Sequence, residues 1–502
     1  MMPLKKGITD KFIKILNSGD STSELFQFLT KNYPLYEGRE RIVERFLGLT
    51  EKFTQVYGSE PENISRSPGR INLIGEHTDY NGCPVLPIAV DRDMIAAFSA
   101  TADGSIHLKN ISEDFPAKSF TASSDIPPFS TGDWGNYAKA AVQAVMRHPA
   151  SQKINQIKGI KCMFSGTIPI AAGMSSSTSI VVSTAYAFMK ANGINIEKEE
   201  LSEVLKKAEW YVGTQGGGMD QAIEINSAAG HALKIDFNPF GFIKVPLPKG
   251  FRTIVINSMV HAPKTEDAMD RYNRRSATCR IITAVLKRKL SVHTGKKLDI
   301  KLLGDLKSDK TGIDEDELER LVFSMIDRDG YTLEEIASMT GMMPDEAVST
   351  FWKRKDGTLM PVPHSGFKLR SRLRHIISEW KRVEESVEYF RHAEMSKFGE
   401  LMYASHDSCA YDYEISCPEL DKIIELCREY RAPGARLTGA GFGGCAIAIV
   451  DKYKADDFIN FLKKHYYESY LKKHRPDIYK KGIYYPDVIF KTKATDGAGI
   501  LL

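Results

Sequence analysis

Long apolar runs are missing from this chain. No segment of its 502 residues approaches the roughly 20 consecutive apolar positions that a membrane-crossing helix needs. Near the start, Lys5, Lys6, Asp10, Lys11 and Lys14 interrupt the apolar core that a secretory signal requires. Paired cysteines are missing too. The seven cysteines (Cys83, Cys162, Cys279, Cys409, Cys417, Cys427 and Cys445) are odd in number, scattered, and form no CxxC. That pattern implies reduced thiols and a cytoplasmic location rather than a disulfide framework or a thiolate metal site. Net charge is small, +4 from 68 basic and 64 acidic residues, so a clustered basic footprint for nucleic acid is not expected. The GxxxxGK[ST] loop is absent, which excludes one common way of holding a nucleotide phosphate. Internal repeats and low-complexity tracts are absent as well.

What remains is a globular composition, 42% hydrophobic and 26% charged, in a chain too long for one comfortable core. Residues 1–57 read as helical, with Phe26, Phe28 and Leu29 in one segment, Ile42, Phe46 and Leu47 in the next, and Pro34 between them. From Ile64 to Ala97 short β-prone runs alternate with Gly and Pro. One helix is expected after Gly173 and ends at Gly193. A second carries Leu201, Val204, Leu205 and Ala208 and ends near Gly213. The Pro/Lys/Gly break at Pro246–Gly250 divides a first domain at 58–247 from a second at 248–502. Within the second, the acidic, helix-forming stretch at about 298–365 reads as an insertion. Helices resume from Ser371 to Tyr403, and the apolar run Ala446–Val450 reads as a strand.

Three segments concentrate polar chemistry. In Gly166–Ser177 (GTIPIAAGMSSS) a glycine, Gly173, and three hydroxyls, Ser175, Ser176 and Ser177, precede an amphipathic helix. Free N–H groups and the helix dipole make such a terminus an anion site; a serine-rich N-cap is the plain alternative. Arg66–Tyr80 (RSPGRINLIGEHTDY) crowds Arg66, Arg70, Glu76, His77 and Asp79 around glycines between apolar runs. So much polarity is costly to bury unless it binds something. Sugar hydroxyls suit the mixture; metal ligation or a solvated turn would also account for it. The third segment, Arg436–Gly444 (RLTGAGFGG), is a glycine-rich loop entering a strand, where a backbone can approach a ligand closely or simply turn.

In this order and spacing the three segments resemble the galactokinases of the GHMP small-molecule kinase superfamily. The likeness extends through Gly213–Gln221 (GTQGGGMDQ), Asp270–Arg275 (DRYNRR) and Cys417–Asp421 (CPELD), and covers roughly residues 50–290 and 370–502. The glycine triplet before Met219 and the helical insertion look most like the eukaryotic branch, which includes N-acetylgalactosamine kinases. The resemblance implies an α+β, two-domain fold with its active site in the interdomain cleft. It implies an ATP- and Mg²⁺-dependent transfer of phosphate to the C1 hydroxyl of galactose by a cytoplasmic monomer with no nucleic-acid or membrane partner. N-acetylgalactosamine as acceptor is the first alternative; a regulator that binds galactose and ATP without turnover is the second. Residue by residue, Asp220 matches the catalytic aspartate and Arg70 the arginine beside it. Glu76, His77, Asp79, Gly217 and Tyr272 match sugar-contacting positions. Trp134 and Tyr137, in Asp133–Tyr137 (DWGNY), match aromatics near adenine. Gly173, Ser175, Ser176 and Ser177 match the phosphate loop, and Ser177 and Glu209 match the Mg²⁺ ligands.

Two positions depart from the family pattern. Thr178 stands where a small alanine is usual, and Met259–Lys264 (MVHAPK) matches poorly, which bears on the sugar pocket. Two further patterns mislead. Thr332–Val348 has the rhythm of a helix-turn-helix, yet Thr332 and Glu335 form a capping box, and the nearby Asp314, Glu315, Asp316, Glu317 and Glu319 would repel a phosphate backbone. Asp327–Gly330 is too short for a calcium loop, with Ser338 in place of the closing glutamate.

Overall fold

The computed structural model describes residues 7–18, 23–33, 39–170, 172–213, 216–260, 266–354, 357–479 and 483–501. Pro34, Thr214, Gln215 and the His261–Lys264 part of the divergent segment lie outside the described residues. Twelve strands are described: β1 (Asn63–Asn72), β2 (Pro87–Thr101), β3 (Ser105–Asn110), β4 (Lys118–Thr121), β5 (Gly159–Gly166), β6 (His231–Phe237), β7 (Phe240–Pro246), β8 (Phe251–Asn257), β9 (Gly434–Thr438), β10 (Cys445–Asp451), β11 (Ile489–Thr492) and β12 (Gly499–Ile500). They form a six-stranded sheet in the order β12-β1-β2-β5-β3-β4, a four-stranded sheet in the order β11-β8-β10-β9, and the hairpin β6-β7. The first sheet is mixed: β3 and β5 run parallel, while β1 and β2 are antiparallel with a register shift between Pro68 and Arg70. The second sheet is antiparallel throughout. This is an α+β architecture with a sheet in each half of the chain.

The helices form where the apolar spacing places them. Ile8–Ser18, Glu24–Asn32 and Arg39–Tyr57 fold the first 57 residues onto β1, β2 and β5, burying Phe12, Phe46 and Phe53 against Ile64, Ile95 and Met163. An ion cluster secures them: Arg45 and Arg66 both reach Asp93 of β2, at 2.6 and 2.7 Å. Ser176–Asn192 begins where the serines lie and stops at the left-handed Gly193. Lys198–Ala208 passes through a single 3₁₀ turn, Glu209–Val212, into Gly213.

In the 298–365 region Glu315–Met325, Leu333–Thr340 and Pro344–Phe351 bury Leu318, Val322, Ile336, Ala337, Ala347 and Phe351 in the core shared with the Glu266–Thr294 and Leu369–Arg391 helices. The helix-turn-helix rhythm therefore serves packing. Thr332 and Glu335 exchange both capping bonds, at 3.3 and 2.8 Å. The carboxylates of the short acidic loop are used internally as well: Asp329 accepts from Ser371 N–H at 2.9 Å, at the start of a helix, and Asp327 accepts from Tyr331 Oη at 2.7 Å.

The segment after β11 crosses back to the first half, where β12 pairs with Ser65 and Arg66 of β1. Within the first half, Val85 bridges to Ile235 of the β6–β7 hairpin. The site lies where these crossings bring the first sheet, the Ser176–Asn192 helix and the β9–β10 turn together.

Candidate active site

Arg70 leaves β1 just after the irregularity at Pro68, and Asp220 sits in the first turn of the short helix Met219–Asn226. The two meet as a two-pronged pair: Nε to Oδ1 at 2.7 Å and Nη2 to Oδ2 at 2.9 Å. Arg70 is 7% exposed and Asp220 23%, so the carboxylate keeps one open side while its arginine is sunk in protein. The third prong, Nη1, donates to the carbonyl of Gly173, and Ser175 Oγ donates to Asp220 Oδ2. Ser175 occupies the N-cap position of its helix with φ +60° and makes no capping bond. Its hydroxyl is spent on Asp220 instead. The serine-rich cap thus gives way to a loop whose first serine addresses the carboxylate, leaving the half-buried Ser176 and Ser177 at the open helix end.

The glycines of this loop and of the β9–β10 turn explain each other. A Cβ on Gly173 would lie 3.0 Å from the Thr438 carbonyl, one on Gly439 2.5 Å from the Gly173 carbonyl, and one on Gly444 2.9 Å from the Ala172 carbonyl. The two loops pack backbone against backbone, which only residues without side chains permit. Gly217 fits as closely against the sugar-like segment, where a Cβ would sit 2.2 Å from Tyr80 N.

Glu209 lies at the junction of the second helix with its 3₁₀ turn. Its Oε1 accepts the Thr178 hydroxyl, and its Oε2 faces Gly216, 3.6 Å from where a Cβ would be. Burial first, and the charge of Asp220 second, raise its pKa to about 7. Tyr137 lies near Ser177 and the Glu209 carboxylate; burial first, and the Glu209 charge second, raise the pKa of its phenol. Trp134 is placed differently: its indole is buried edge-on to Phe115 and Phe164 and donates to the Pro116 carbonyl at 3.0 Å. Of the two aromatics expected near adenine, Tyr137 borders the loop while Trp134 belongs to the core.

Tyr272 lies against the sugar-like segment, its ring 5.2 Å from His77 and 5.9 Å from Tyr80. Its phenol is pushed well above the usual range by burial, then by the charges of Asp79, Asp220, Glu209 and Glu76, so four carboxylates from three separate segments converge on it. Asp79 is half-buried, and its Oδ2 faces the Met219 amide at 3.4 Å.

Glu76 and His77 are held by the second half of the chain. Glu76 Oε2 accepts from Arg436 Nη1 at 3.0 Å and from Gly439 N–H at 3.1 Å. Glu379, fully buried, accepts from the N–H groups of Gly75 and Glu76 at 2.9 and 3.1 Å, and His375 Nε2 donates to the Glu76 carbonyl at 2.9 Å. Both ring nitrogens of His77 are bonded within the protein, to Tyr80 Oη at 2.8 Å and to the Ala440 carbonyl at 3.1 Å. Arg436 opens the glycine-rich segment and Thr178 departs from the family pattern, but Glu379 and His375 carry no motif signal of their own. Their partners lie far away in sequence, and only the polar residues inside otherwise apolar helix faces could have drawn attention to them. Glu224 was equally silent: it lies behind Asp220 with Oε2 accepting from Ser67 Oγ at 2.9 Å and Oε1 unpartnered.

Three family models match the chain: the GHMP kinases N terminal domain at residues 136–227, the GHMP kinases C terminal at 386–468, and the galactokinase galactose-binding signature at 51–100. Fold and site together define a GHMP small-molecule kinase. Galactokinase from Dictyostelium discoideum is 33% identical over 465 residues, spanning 87% of this chain and 91% of its own length. Galactokinase from Schizosaccharomyces pombe is 30% identical over 476 residues, spanning 86% and 91%. The crystal structure of Lactococcus lactis galactokinase complexed with galactose superposes with a TM-score of 0.67 at 27% identity, over 90% of this chain and 99% of that one. This chain belongs to the galactokinase family.

Proposed function

We propose that this protein transfers the terminal phosphoryl group of ATP to the C1 hydroxyl of galactose, giving galactose 1-phosphate and ADP. The two-pronged Arg70–Asp220 pair beside an open helix N-terminus carries the reading. Phosphoryl transfer asks a protein for positioning and charge neutralisation more than for covalent chemistry. Asp220, oriented by Arg70 and Ser175, takes the proton of the C1 hydroxyl. That oxygen bonds to the γ-phosphorus, the bond from phosphorus to the β–γ bridging oxygen breaks, and ADP leaves. The N–H groups at the start of Ser176–Asn192 receive phosphate oxygens, and Arg70 steadies the negative charge that develops.

Ser177 and Glu209 would hold the Mg²⁺ that accompanies ATP. The donor set fits: one hydroxyl and one carboxylate, with Glu209 Oε2 facing Gly216 rather than a side chain, leaves coordination positions for phosphate and water. Bound there, Mg²⁺ neutralises charge on the phosphates. On the sugar side, Asp79, Tyr272 and the backbone at Gly217 border the space next to Asp220, with Glu76 and His77 behind them. The reading includes a cytoplasmic monomer with no nucleic-acid partner, which seven unpaired thiols and the net charge of +4 support. Galactose is favoured over N-acetylgalactosamine by the relatives, and the formed catalytic pair favours an enzyme over a regulator that only binds.

A coupled ADP-release assay across galactose, N-acetylgalactosamine, glucose and mevalonate tests this. Galactose should be turned over fastest. Glucose, which differs at C4, should be poorer by up to about 10⁴-fold, because a site built to bond a hydroxyl leaves its own groups unpaired when that hydroxyl moves. Comparable kcat/KM for glucose and galactose would refute the C4 preference. Larger kcat/KM for N-acetylgalactosamine would change the acceptor, and ATP and galactose binding without ADP release would make the protein a regulator.

A further inference from the structure

We propose that Tyr80 and Tyr413 are positioning residues of the sugar site: they fix His77 as its neutral Nε2–H tautomer, and the ring so fixed ties the glycine loop to the sugar segment and backs Tyr272. The polarity of the chain follows from its one-way end. The Ala440 carbonyl can only accept, so His77 Nε2, 3.1 Å away, carries the proton. His77 Nδ1 is then an acceptor and takes the Tyr80 hydroxyl proton at 2.8 Å. Having donated, Tyr80 accepts from Tyr413 at 2.8 Å, and Tyr413 accepts from the Cys279 thiol at 3.3 Å. Charging His77 would put a second donor against Tyr80 and reverse every link. Burial, together with the positive charges of Arg275 and Arg436 nearby, opposes that charge and lowers the His77 pKa to about 3.

The backbone is shaped to present these groups. His77 is held at φ +60°, a conformation that persists only where the surroundings impose it. Tyr413 follows a single π-helical turn, Ser408–Asp412, a form concentrated at functional sites. Its own N–H donates to the Ser408 carbonyl at 2.9 Å, and its carbonyl accepts from Arg275 Nε at 2.7 Å. The His77 ring lies 5.2 Å from Tyr272, 5.2 Å from Tyr413 and 5.7 Å from Tyr80. With both nitrogens engaged, what His77 offers the sugar is a fixed wall behind Tyr272.

The kinetic arm of the test rests on the galactokinase reading; the spectroscopic arm does not. In the full chain labelled with ¹⁵N-histidine, with His77 assigned through His77→Gln, nitrogen shifts at pH 7.5 should show a protonated Nε2 and an unprotonated Nδ1. Tyr80→Phe strands Nδ1 and should raise KM for galactose by about tenfold or more, with kcat and KM for ATP moving less than about twofold. Tyr413→Phe, which leaves Tyr80 able to donate, should raise it less. A merely structural role would lower the active fraction, and so kcat, at constant KM. Unchanged galactose KM in Tyr80→Phe, or in both Tyr413→Phe and a poorly folding Tyr80→Phe, overturns the proposal. A charged His77 or an Nδ1–H tautomer in the wild type does the same. Absence of galactose turnover in the wild type counts against the kinase reading alone, and the nitrogen shifts still decide the tautomer.

Discussion

Asp220 receives three donors, two from Arg70 and one from Ser175, and each is placed for a carboxylate. Asp220→Asn keeps the shape but presents an N–H₂ to at least one donor and cannot accept the sugar proton. Turnover should fall about 10²–10⁴-fold while ATP still binds; wild-type turnover would remove Asp220 from the mechanism. Glu209→Gln keeps the Thr178 bond but loses the charge, so the Mg²⁺ concentration for half-maximal rate should rise with little change in galactose affinity. A Mg²⁺ titration that overlays the wild type would reduce Glu209 to a structural carboxylate. Glu224 concerns stability. Burial, then the charge of Asp220, pushes its pKa well above the usual range. The folded protein therefore keeps a proton there that the unfolded chain has already released. Its stabilising contribution is complete below the unfolded value near 4.5 and is lost as pH rises toward the folded value. From about pH 7.5 to 8.5 His77 and His375, both lowered, lie well above the usual histidine value of about 6.5, are neutral in the fold and almost so in the unfolded chain, and add almost nothing. Denaturant midpoints should thus fall with pH across that interval. In Glu224→Gln the slope should shrink, by at most about 1.4 kcal/mol per pH unit, one proton's worth. An identical slope in the variant would show that Glu224 is ionised throughout.

At the level of elements, the loops carry the tightest constraints. Gly439 has φ +87° and no room for a Cβ, with the Gly173 carbonyl at 2.5 Å. Gly439→Ala meets both a backbone penalty of about 1–2 kcal/mol and a collision with the Gly173 loop, the proposed phosphate site. It should lower the melting temperature and raise KM for ATP at least about tenfold; wild-type values for both would show that the two loops can part without cost. These elements differ in how far the sequence discloses them. The helix after the serines, its stop at Gly193 and the strand at Ala446–Val450 follow from spacing and capping alone, because local signals set them. The Arg70–Asp220 pair is legible only through family resemblance, since a strand residue and a helix residue 150 positions apart share no period. The clamp of Glu379 and His375 on Gly75–Glu76 is illegible even so, because both lie on a helix whose other residues report only burial, and Arg436, though it opens the glycine-rich segment, gives no sign that Glu76 is its partner. Trp134, which the motif match places near adenine, packs its indole against Phe115 and Phe164, which its sequence neighbours do not announce. The left-handed Ser175 could not be read either, because a serine before a helix normally caps it.

For the whole molecule, the segment from Thr495 to Leu501 is the stitch between the halves. Thr495 N–H donates to the Ala89 carbonyl at 3.1 Å, Gly497 N–H to Ser227 at 3.0 Å, Ala498 N–H to Glu224 at 2.6 Å and Leu501 N–H to Ile64 at 2.8 Å. Two of these satisfy carbonyls at the end of Met219–Asn226, the helix that begins with the Asp220 turn. A chain ended at Asp496 should therefore melt lower and lose most of its turnover, although every residue of the proposed site is present. Full activity in that variant would show the helix to be self-supporting. The same stitch bears on synthesis. As the chain emerges from the ribosome, β1 has no partner on its outer edge until residue 500 has been made, and an unpaired edge invites pairing with other chains. The first half therefore cannot mature as a finished unit ahead of the second, and the nascent protein depends on shielding of that edge until residue 500 has been made.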